Sequence, residues 1–155
     1  MKYTFILFLY LVSLSAFADE MNLRDFDSLE AYEEYLQNNQ QNCLDNSGGG
    51  SRATSCFSAY FSAWDDELNY YYNLLRLELD EGEREKLRQA QLSWIENRDT
   101  AREFNSALLD RYYANRQGTM FIAIRSGHAS RLMSPITRNR ALLIKQWYED
   151  VLKYK

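Results

Sequence analysis

The sequence has few residues that interrupt helices. It contains one proline and six glycines among 155 residues, whereas the strong helix formers leucine, alanine, glutamate, arginine and glutamine are abundant. A fold built from many strands and tight turns is therefore disfavoured. The length suffices for one domain with a hydrophobic core. We predict an all-α fold, a small bundle of four to five helices that follows a leader segment.

The sequence is also poor in the residues that carry most nucleophilic and metal chemistry. His128 is the single histidine, and we expect both cysteines to be oxidised, so neither a Ser-His-Asp nor a Cys-His arrangement can be assembled. Two thiols and one imidazole do not make a zinc site. Gly48–Gly50 lacks the lysine and the preceding strand of a phosphate-binding loop. We predict no enzyme activity, no metal and no cofactor.

One pair of carboxylates, Asp65 and Asp99, has the residue types that glycosidases use. Arg98 and Arg140 are predicted to lie nearby, and a neighbouring positive charge lowers the pKa of a carboxyl group. A general acid at neutral pH needs a raised pKa instead. The pair therefore does not change the prediction of a protein without enzyme activity.

Positive charge is not in excess. The chain has 18 lysines and arginines against 22 acidic residues, a net charge of −4. A nucleic-acid-binding protein normally carries a basic stripe, so we predict no nucleic-acid partner. A net negative charge mildly favours basic protein partners.

Residues 1–18 have the pattern of a secretory signal. Lys2 precedes an apolar run from Tyr3 to Leu14, which is shorter than the roughly 20 residues of a membrane span, and Ala16-Phe17-Ala18 matches a cleavage site. We predict cleavage after Ala18, a periplasmic or secreted product and no stable membrane anchor. The alternative is an uncleaved anchor.

The remaining chain divides into helical segments. A capping box of Asp27 and Glu30 predicts a short helix that ends before the polar run 37–42, and Ser134-Pro135 predicts an N-cap and a first helical residue. We assign residues 1–18 to the signal peptide, 19–42 to an N-terminal helix and connector, and 43–155 to a helical domain. Its helices are predicted at Arg52–Leu79, Glu83–Asn115, Thr119–Leu132 and Pro135–Lys153.

The two cysteines flank a polar, glycine-rich stretch. Cysteines of an exported chain usually pair, so we predict a Cys43–Cys56 disulfide that closes a loop from Leu44 to Ser55. In the chain-entropy model such a bridge stabilises the fold by about 3 kcal/mol.

Polar side chains interrupt the apolar stripes of three predicted helices. Because a buried guanidinium needs hydrogen bonds and a counter-charge, we predict a buried polar cluster in which Asp65 is the partner of Arg98 or Arg140. The alternative is that both arginines extend along the rim with their heads in water. The polar cluster comprises Asp65, Asn69, Gln91, Arg98 and Arg140, and the predicted core around it comprises Leu68, Tyr72, Leu87 and Trp94.

These residues resemble a known family. The cysteine pair, Asp65-x-x-Leu68-Asn69-x-x-Tyr72, Leu87-x-x-Ala90-Gln91-x-x-Trp94-x-x-x-Arg98-Asp99 and Thr137-x-x-Arg140 are similar to motifs of the LprI-like lysozyme-inhibitor domain, over roughly Cys43 to Trp147. The resemblance implies a small helical, secreted or periplasmic bacterial protein and, by the family name, inhibition of lysozyme. Fold transfers across a family better than function does.

The sequence departs from the family pattern at a second cysteine pair. Members usually carry one cysteine just after the Arg-Asp of the middle motif and one before the Thr-x-x-Arg. Ala101 and Arg102 occupy the first neighbourhood and Leu132 the second. The bridge between these helices is absent, so we expect packing to replace it.

We hypothesise an exported envelope protein that binds, and inhibits, a peptidoglycan hydrolase such as lysozyme. Asp45, Asn46 and Arg52 in the bridged loop are the predicted contact residues; the alternative is that this loop is an ordinary linker. Two other functions stay open: an immunity-type protein against a delivered envelope toxin, and a binding or structural domain of the envelope without inhibitory activity.

Overall fold

The computed structural model describes residues 21–155, so the predicted signal peptide and its cleavage site lie outside the described residues. A short 3-10 turn at Leu23–Asp25 precedes four helices, and there is no strand within the described part of the chain. The all-α prediction is confirmed. The helices are α1 (Leu29–Ser47), α2 (Ser51–Glu78), α3 (Glu81–Tyr113) and α4 (Thr119–Lys153).

Helix α2 is the centre of the bundle, with α4 and α1 packed along it. Trp64 of α2 and Ile144 of α4 have no exposed surface, and Tyr32 of α1 meets the Trp64 ring edge-on with the centroids 5.3 Å apart. Burying an aromatic side chain of this size removes roughly 150–250 Å² of surface from water. The core cluster consists of Leu23, Tyr32, Leu36, Ala63, Trp64, Leu68, Tyr71, Leu75, Leu87, Ala141 and Ile144.

The buried face of α2 is rotated relative to the prediction. Leu68, and Leu87 of α3, are buried in the core as expected, whereas Tyr72, and Trp94 of α3, are half-buried and pack against the core from outside. Tyr71 occupies the buried position instead, at 6 % exposure. The reason is that α1 and α4 cover α2 from the side of Trp64, whereas the predicted side faces α3, which contacts the bundle chiefly through α4.

Helix α4 is continuous, so the predicted break at Ser134-Pro135 is wrong. Pro135 lies inside the helix, although a proline there removes one backbone hydrogen bond. A stripe of buried side chains crosses this position without a change of helical register, and its packing outweighs the local signal. The stripe consists of Met133, Thr137, Ala141 and Ile144.

Helix α1 is longer than predicted, and its cap differs. The N-cap is Ser28, whose hydroxyl accepts a hydrogen bond from the Ala31 N–H at 3.1 Å, rather than Asp27. The helix continues through the polar run to Ser47, and Gln41 donates a side-chain hydrogen bond to Asp45 one turn later, at 2.7 Å. The proposed domain boundary at residue 43 therefore falls inside a helix.

Candidate functional site

The predicted disulfide is confirmed. The Cys43 and Cys56 sulfurs are bonded, and their Cα atoms are 5.6 Å apart, a separation within the usual range for a disulfide. Cys43 is exposed on α1, whereas Cys56 is 1 % exposed on α2. The bridge therefore fixes the end of α1 against the beginning of α2.

The predicted loop from Leu44 to Ser55 is instead a short corner, because helices occupy most of it. Only Gly48–Gly50 separate α1 from α2, and all three have positive φ (67°, 82° and 63°), a conformation that other residues rarely adopt. A Cβ on Gly50 would lie 3.1 Å from the Thr119 side chain, so the corner contacts the beginning of α4. We call residues 45–52 the glycine corner.

The three predicted contact residues lie on both sides of the glycine corner. Asp45 and Asn46 are exposed in the last turn of α1, and Arg52 is exposed in the first turn of α2. The Asn46 amide donates to the Asn42 carbonyl at 2.7 Å. All three side chains are accessible to a partner on a backbone that the disulfide holds in place.

Arg140 is the buried member of the polar cluster, at 9 % exposure. Its Cζ lies 5.7 Å from the ring centroid of Trp94 and 5.4 Å from that of Trp147, and its Nε donates to Gln91 Oε1 at 2.9 Å. Nη2 is buried without a hydrogen-bond partner. Burial lowers the pKa of Arg140, because it disfavours the charged form.

Asp65 is not the counter-charge of either arginine. No ion pair joins it to Arg98 or Arg140 in the described residues; Arg98 pairs with its neighbour Asp99 at 2.8 Å. Asp65 is half-exposed and accepts a hydrogen bond from the exposed Asn69 at 3.3 Å. That part of the prediction is wrong because Asp65 keeps part of its surface in water and forms no ion pair with either guanidinium.

The polar cluster thus separates into two groups. Gln91, Arg98 and Arg140 gather around Trp94, since Arg98 Cζ also lies over this ring at 5.1 Å from its centroid. Asp65 and Asn69 form the other group on α2. Aromatic faces, rather than carboxylates, supply most of the stabilisation of the buried Arg140 charge.

Glu67 is a buried carboxylate that the sequence reasoning missed. It is 2 % exposed; its Oε1 accepts from the Leu23 N–H at 2.8 Å, and its Oε2 is buried without a partner. Burial raises the pKa of Glu67 above its ordinary value of 4.5. The carboxylate ties the chain before α1 to α2. Its only sequence signal is the acidic run at 65–67, in which helical periodicity predicts Asp65 as the buried residue.

A groove of about 370 Å³ opens between α2, α3 and α4. Arg102 and Met133 both line this groove. They lie beside the two positions at which family members carry the second cysteine pair, so packing does not fully replace the missing disulfide. Arg102 extends over the Phe61 ring, 5.6 Å from its centroid. The hydroxyl groups along the groove belong to Thr54, Ser58, Ser62, Ser106, Ser126 and Ser130.

Charge is segregated along the bundle. Residues 101–140 contain seven arginines and two acidic residues, whereas the rest of the described chain contains ten basic and 18 acidic residues. Residues 78–85 around the α2–α3 turn, here called the acidic end, carry five carboxylates and one arginine. The 33 residues of α3 separate this end from the α3–α4 turn by about 50 Å.

Two further features of residues 21–155 bear on the class of site. No helix among them is long and apolar enough to cross a membrane. They also bring together no group of three or more His, Cys, Asp or Glu side chains that could hold a metal ion.

Comparison with known families identifies the chain. The family described as lysozyme inhibitor LprI matches residues 43–142, which include the disulfide, the glycine corner and every member of the polar cluster. No curated protein and no solved structure matches the chain. The family is one of inhibitor-type domains, not an enzyme family, and implies a protein partner such as lysozyme and an extracellular or envelope location. The matched region is more than half of the sequence, and the chain belongs to the lysozyme inhibitor LprI family.

Proposed function

We propose that this protein binds a peptidoglycan hydrolase in the cell envelope and blocks its substrate cleft. The match to the lysozyme inhibitor LprI family over residues 43–142 is the observation that carries the proposal. The signal-like residues 1–18 support an envelope location. A rigid helical bundle with exposed side chains at its ends suits binding with little loss of conformational entropy.

The glycine corner is one proposed contact surface. Asp45, Asn46 and Arg52 are exposed there, and the Cys43–Cys56 bridge holds the backbone in one arrangement. A preorganised corner loses little freedom when it enters a cleft. Its charged groups, one carboxylate and one guanidinium, also match the polar character of a saccharide-binding cleft.

The acidic end is a second proposed surface, and the segregation of charge favours it. A hydrolase that is basic, as lysozyme is, will be steered toward the five carboxylates of residues 78–85 and away from the arginines of residues 101–140. Hydrogen bonds from Arg88 and Gln89 lower the pKa of the exposed Glu85 to about 2, and the ion pair with Arg88 at 2.7 Å offsets its charge. Asp80, Glu81 and Glu83 form no ion pair within the described residues and supply the remaining negative charge. The corner and the acidic end therefore predict different effects of salt and mutation.

The test of the proposed function is lysis of bacterial cell walls by a c-type lysozyme, titrated with the oxidised protein from Asp19 to Lys155. The expected result is complete inhibition near one equivalent. The control is the same protein after reduction and alkylation of its single disulfide. Absence of inhibition at large excess, with helical circular dichroism retained, would contradict the proposal.

Two sets of variants decide between the surfaces. Asp45→Ala with Arg52→Ala removes the charged side chains of the corner, and Glu81→Gln with Glu83→Gln removes two charges of the acidic end. If the acidic end makes the contact, the second pair slows association and its effect disappears at high salt. If the corner makes the contact, only the first pair weakens inhibition, and it acts at every salt concentration.

A further inference from the structure

The turn between α3 and α4 exposes four apolar side chains that lie outside the hydrophobic core, and one of them, Tyr112, stacks on the His128 ring of α4 with the centroids 6.2 Å apart. Met120 and Tyr112 are 62 % and 54 % exposed, and Ile122 and Ile124 are 49 % and 47 % exposed. None of the four belongs to the core cluster or to the side chains packed against it. Scattered exposed apolar residues are ordinary, but here four occur within 13 consecutive residues.

These residues form a shallow layer at the end of the bundle. Tyr112 is the second-last residue of α3, and Ile124 is the sixth residue of α4. At a rise of about 1.5 Å per residue, all four lie within about 8 Å of the turn along the helix axes. This depth agrees with the roughly 5–10 Å to which apolar faces enter the boundary between headgroups and acyl chains. We call residues 111–125 the arginine tip.

The charges of the arginine tip have one sign. It contains Arg111, Arg116 and Arg125 and no acidic residue. Arg125 pairs with Asp110 just outside the tip at 2.5 Å, whereas Arg111 and Arg116 are exposed and form no ion pair within the described residues. The Arg116 guanidinium extends over the Phe121 ring, 5.5 Å from its centroid, which holds it beside the apolar layer.

Apolar and cationic groups therefore occupy one end of the bundle, about 50 Å from the acidic end. A cavity of about 300 Å³ lies beside this end and is lined in part by Arg116 and Ile122, but Met120 and Ile124 lie outside it and are exposed, so they can enter a soft, negatively charged surface. Arginine suits this role because its guanidinium binds phosphate through two parallel hydrogen bonds. The positive charge of the arginine tip and the depth of its apolar layer therefore both favour an anionic membrane surface as the partner.

The geometry points to a peripheral membrane contact: the arginine tip docks reversibly on a bilayer that contains anionic phospholipid. Met120, Ile122 and Ile124 enter the headgroup layer, and Arg111 and Arg116 bind lipid phosphates. The acidic end then faces away from the membrane. This inference does not rest on hydrolase binding and is tested without a hydrolase.

The expected affinity is moderate and depends on salt. Each arginine near an anionic surface contributes about 1 kcal/mol, which corresponds to about fivefold in the partition coefficient. Losing Arg111 and Arg116 should lower the partition coefficient about 25-fold. The attraction falls when the Debye length shortens at high ionic strength.

The experiment is vesicle flotation of the oxidised protein from Asp19 to Lys155, with its helical circular dichroism verified. Vesicles of phosphatidylglycerol with phosphatidylcholine are compared with vesicles of phosphatidylcholine alone, at low and high salt. The tip variants are Arg111→Gln with Arg116→Gln, and Met120→Ser with Ile124→Ser. Their matched controls near the acidic end are Arg84→Gln with Arg88→Gln, and Leu77→Ser with Leu92→Ser, whose leucines are 79 % and 51 % exposed.

The proposal expects binding to the anionic vesicles alone, loss of that binding in both tip variants and normal binding in both controls. Binding lost equally in tip variants and controls would overturn it, as would failure of the folded protein to bind anionic vesicles at low salt. Self-association that the tip variants abolish, without vesicle binding, would overturn it in favour of a second copy of the chain as the occupant.

Discussion

Replacement of Arg140 tests how the bundle tolerates a buried charge without a carboxylate. The two indole rings each contribute up to about 2 kcal/mol to a desolvated guanidinium, and the hydrogen bond to Gln91 about 1.5–3 kcal/mol. Against this stands a desolvation penalty of several kcal/mol, in agreement with the lowered pKa of Arg140. The gain and the penalty nearly cancel.

Arg140→Met is therefore expected to change the free energy of unfolding by less than about 1 kcal/mol. Methionine fills the space between Trp94 and Trp147, makes favourable contacts with both rings and has no charge to desolvate. Arg140→Lys should cost at least about 2 kcal/mol, because a compact, strongly hydrated ammonium keeps the penalty and loses the planar stacking. Arg140→Ala should cost about 2–4 kcal/mol through the void between the rings.

The assay is urea unfolding of the oxidised protein, followed by far-ultraviolet circular dichroism and fitted with a common slope. We expect the wild type and the Arg140→Met variant to be about equally stable, and the Arg140→Lys and Arg140→Ala variants to be less stable than both. A lysine variant as stable as the wild type would refute the reasoning, because it would mean that the charge is solvated. A methionine variant that loses more than about 3 kcal/mol would refute it too, because the guanidinium would then be strongly stabilising.

Three further predictions use the same assay. The double replacement Cys43→Ser with Cys56→Ser removes a bridge between cysteines 13 residues apart. It should lower the free energy of unfolding by about 3 kcal/mol, and a change near zero would mean that packing alone holds the glycine corner. Asp65→Ala should lower the free energy of unfolding by less than about 1 kcal/mol, because Asp65 bonds only to an exposed Asn69. A loss of about 3–5 kcal/mol would instead indicate that Asp65 belongs to a buried ion pair. Glu67 has a raised pKa, so the stability linked to its proton is complete below the unfolded value of 4.5 and is lost as pH rises through the folded value. Glu67→Gln should gain stability relative to the wild type across that window, and parallel pH profiles would contradict the assignment.

Composition and cysteine spacing were sufficient to predict the helical class and the disulfide. Because proline and glycine are scarce, few residues interrupt long helices. Because the chain has two cysteines and is predicted to be exported, only one disulfide can form. Gln91 and Arg140, two members of the predicted polar cluster, are in contact, but the sequence predicted Asp65, not Gln91, as the partner of a buried arginine.

The errors arose where helical periodicity does not define a single face. Helix α2 is covered on two sides, so its buried positions span a wide arc, and the buried Trp64 and Tyr71 each lie one residue before a predicted position, 65 and 72. The prediction at Pro135 was wrong for another reason. The preference of proline for the start of a helix is outweighed by the packing of the buried side chains before and after it. The arginine tip required the structure, since its residues come together through the turn between two helices.

The peripheral placement of α3 has a consequence for the dynamics of the molecule. Few contacts hold it, chiefly with α4, and a groove separates its second half from α2. Local opening draws on regions with low contact density, so amide hydrogens in the second half of α3 should exchange with deuterium before those of α2. The first half of α3 and the other three helices would stay folded during such an opening. The first half of α3 is held by Leu87 in the core and by the contact of Gln91 with Arg140, so the bundle has one helix whose second half is expected to open while its first half stays packed.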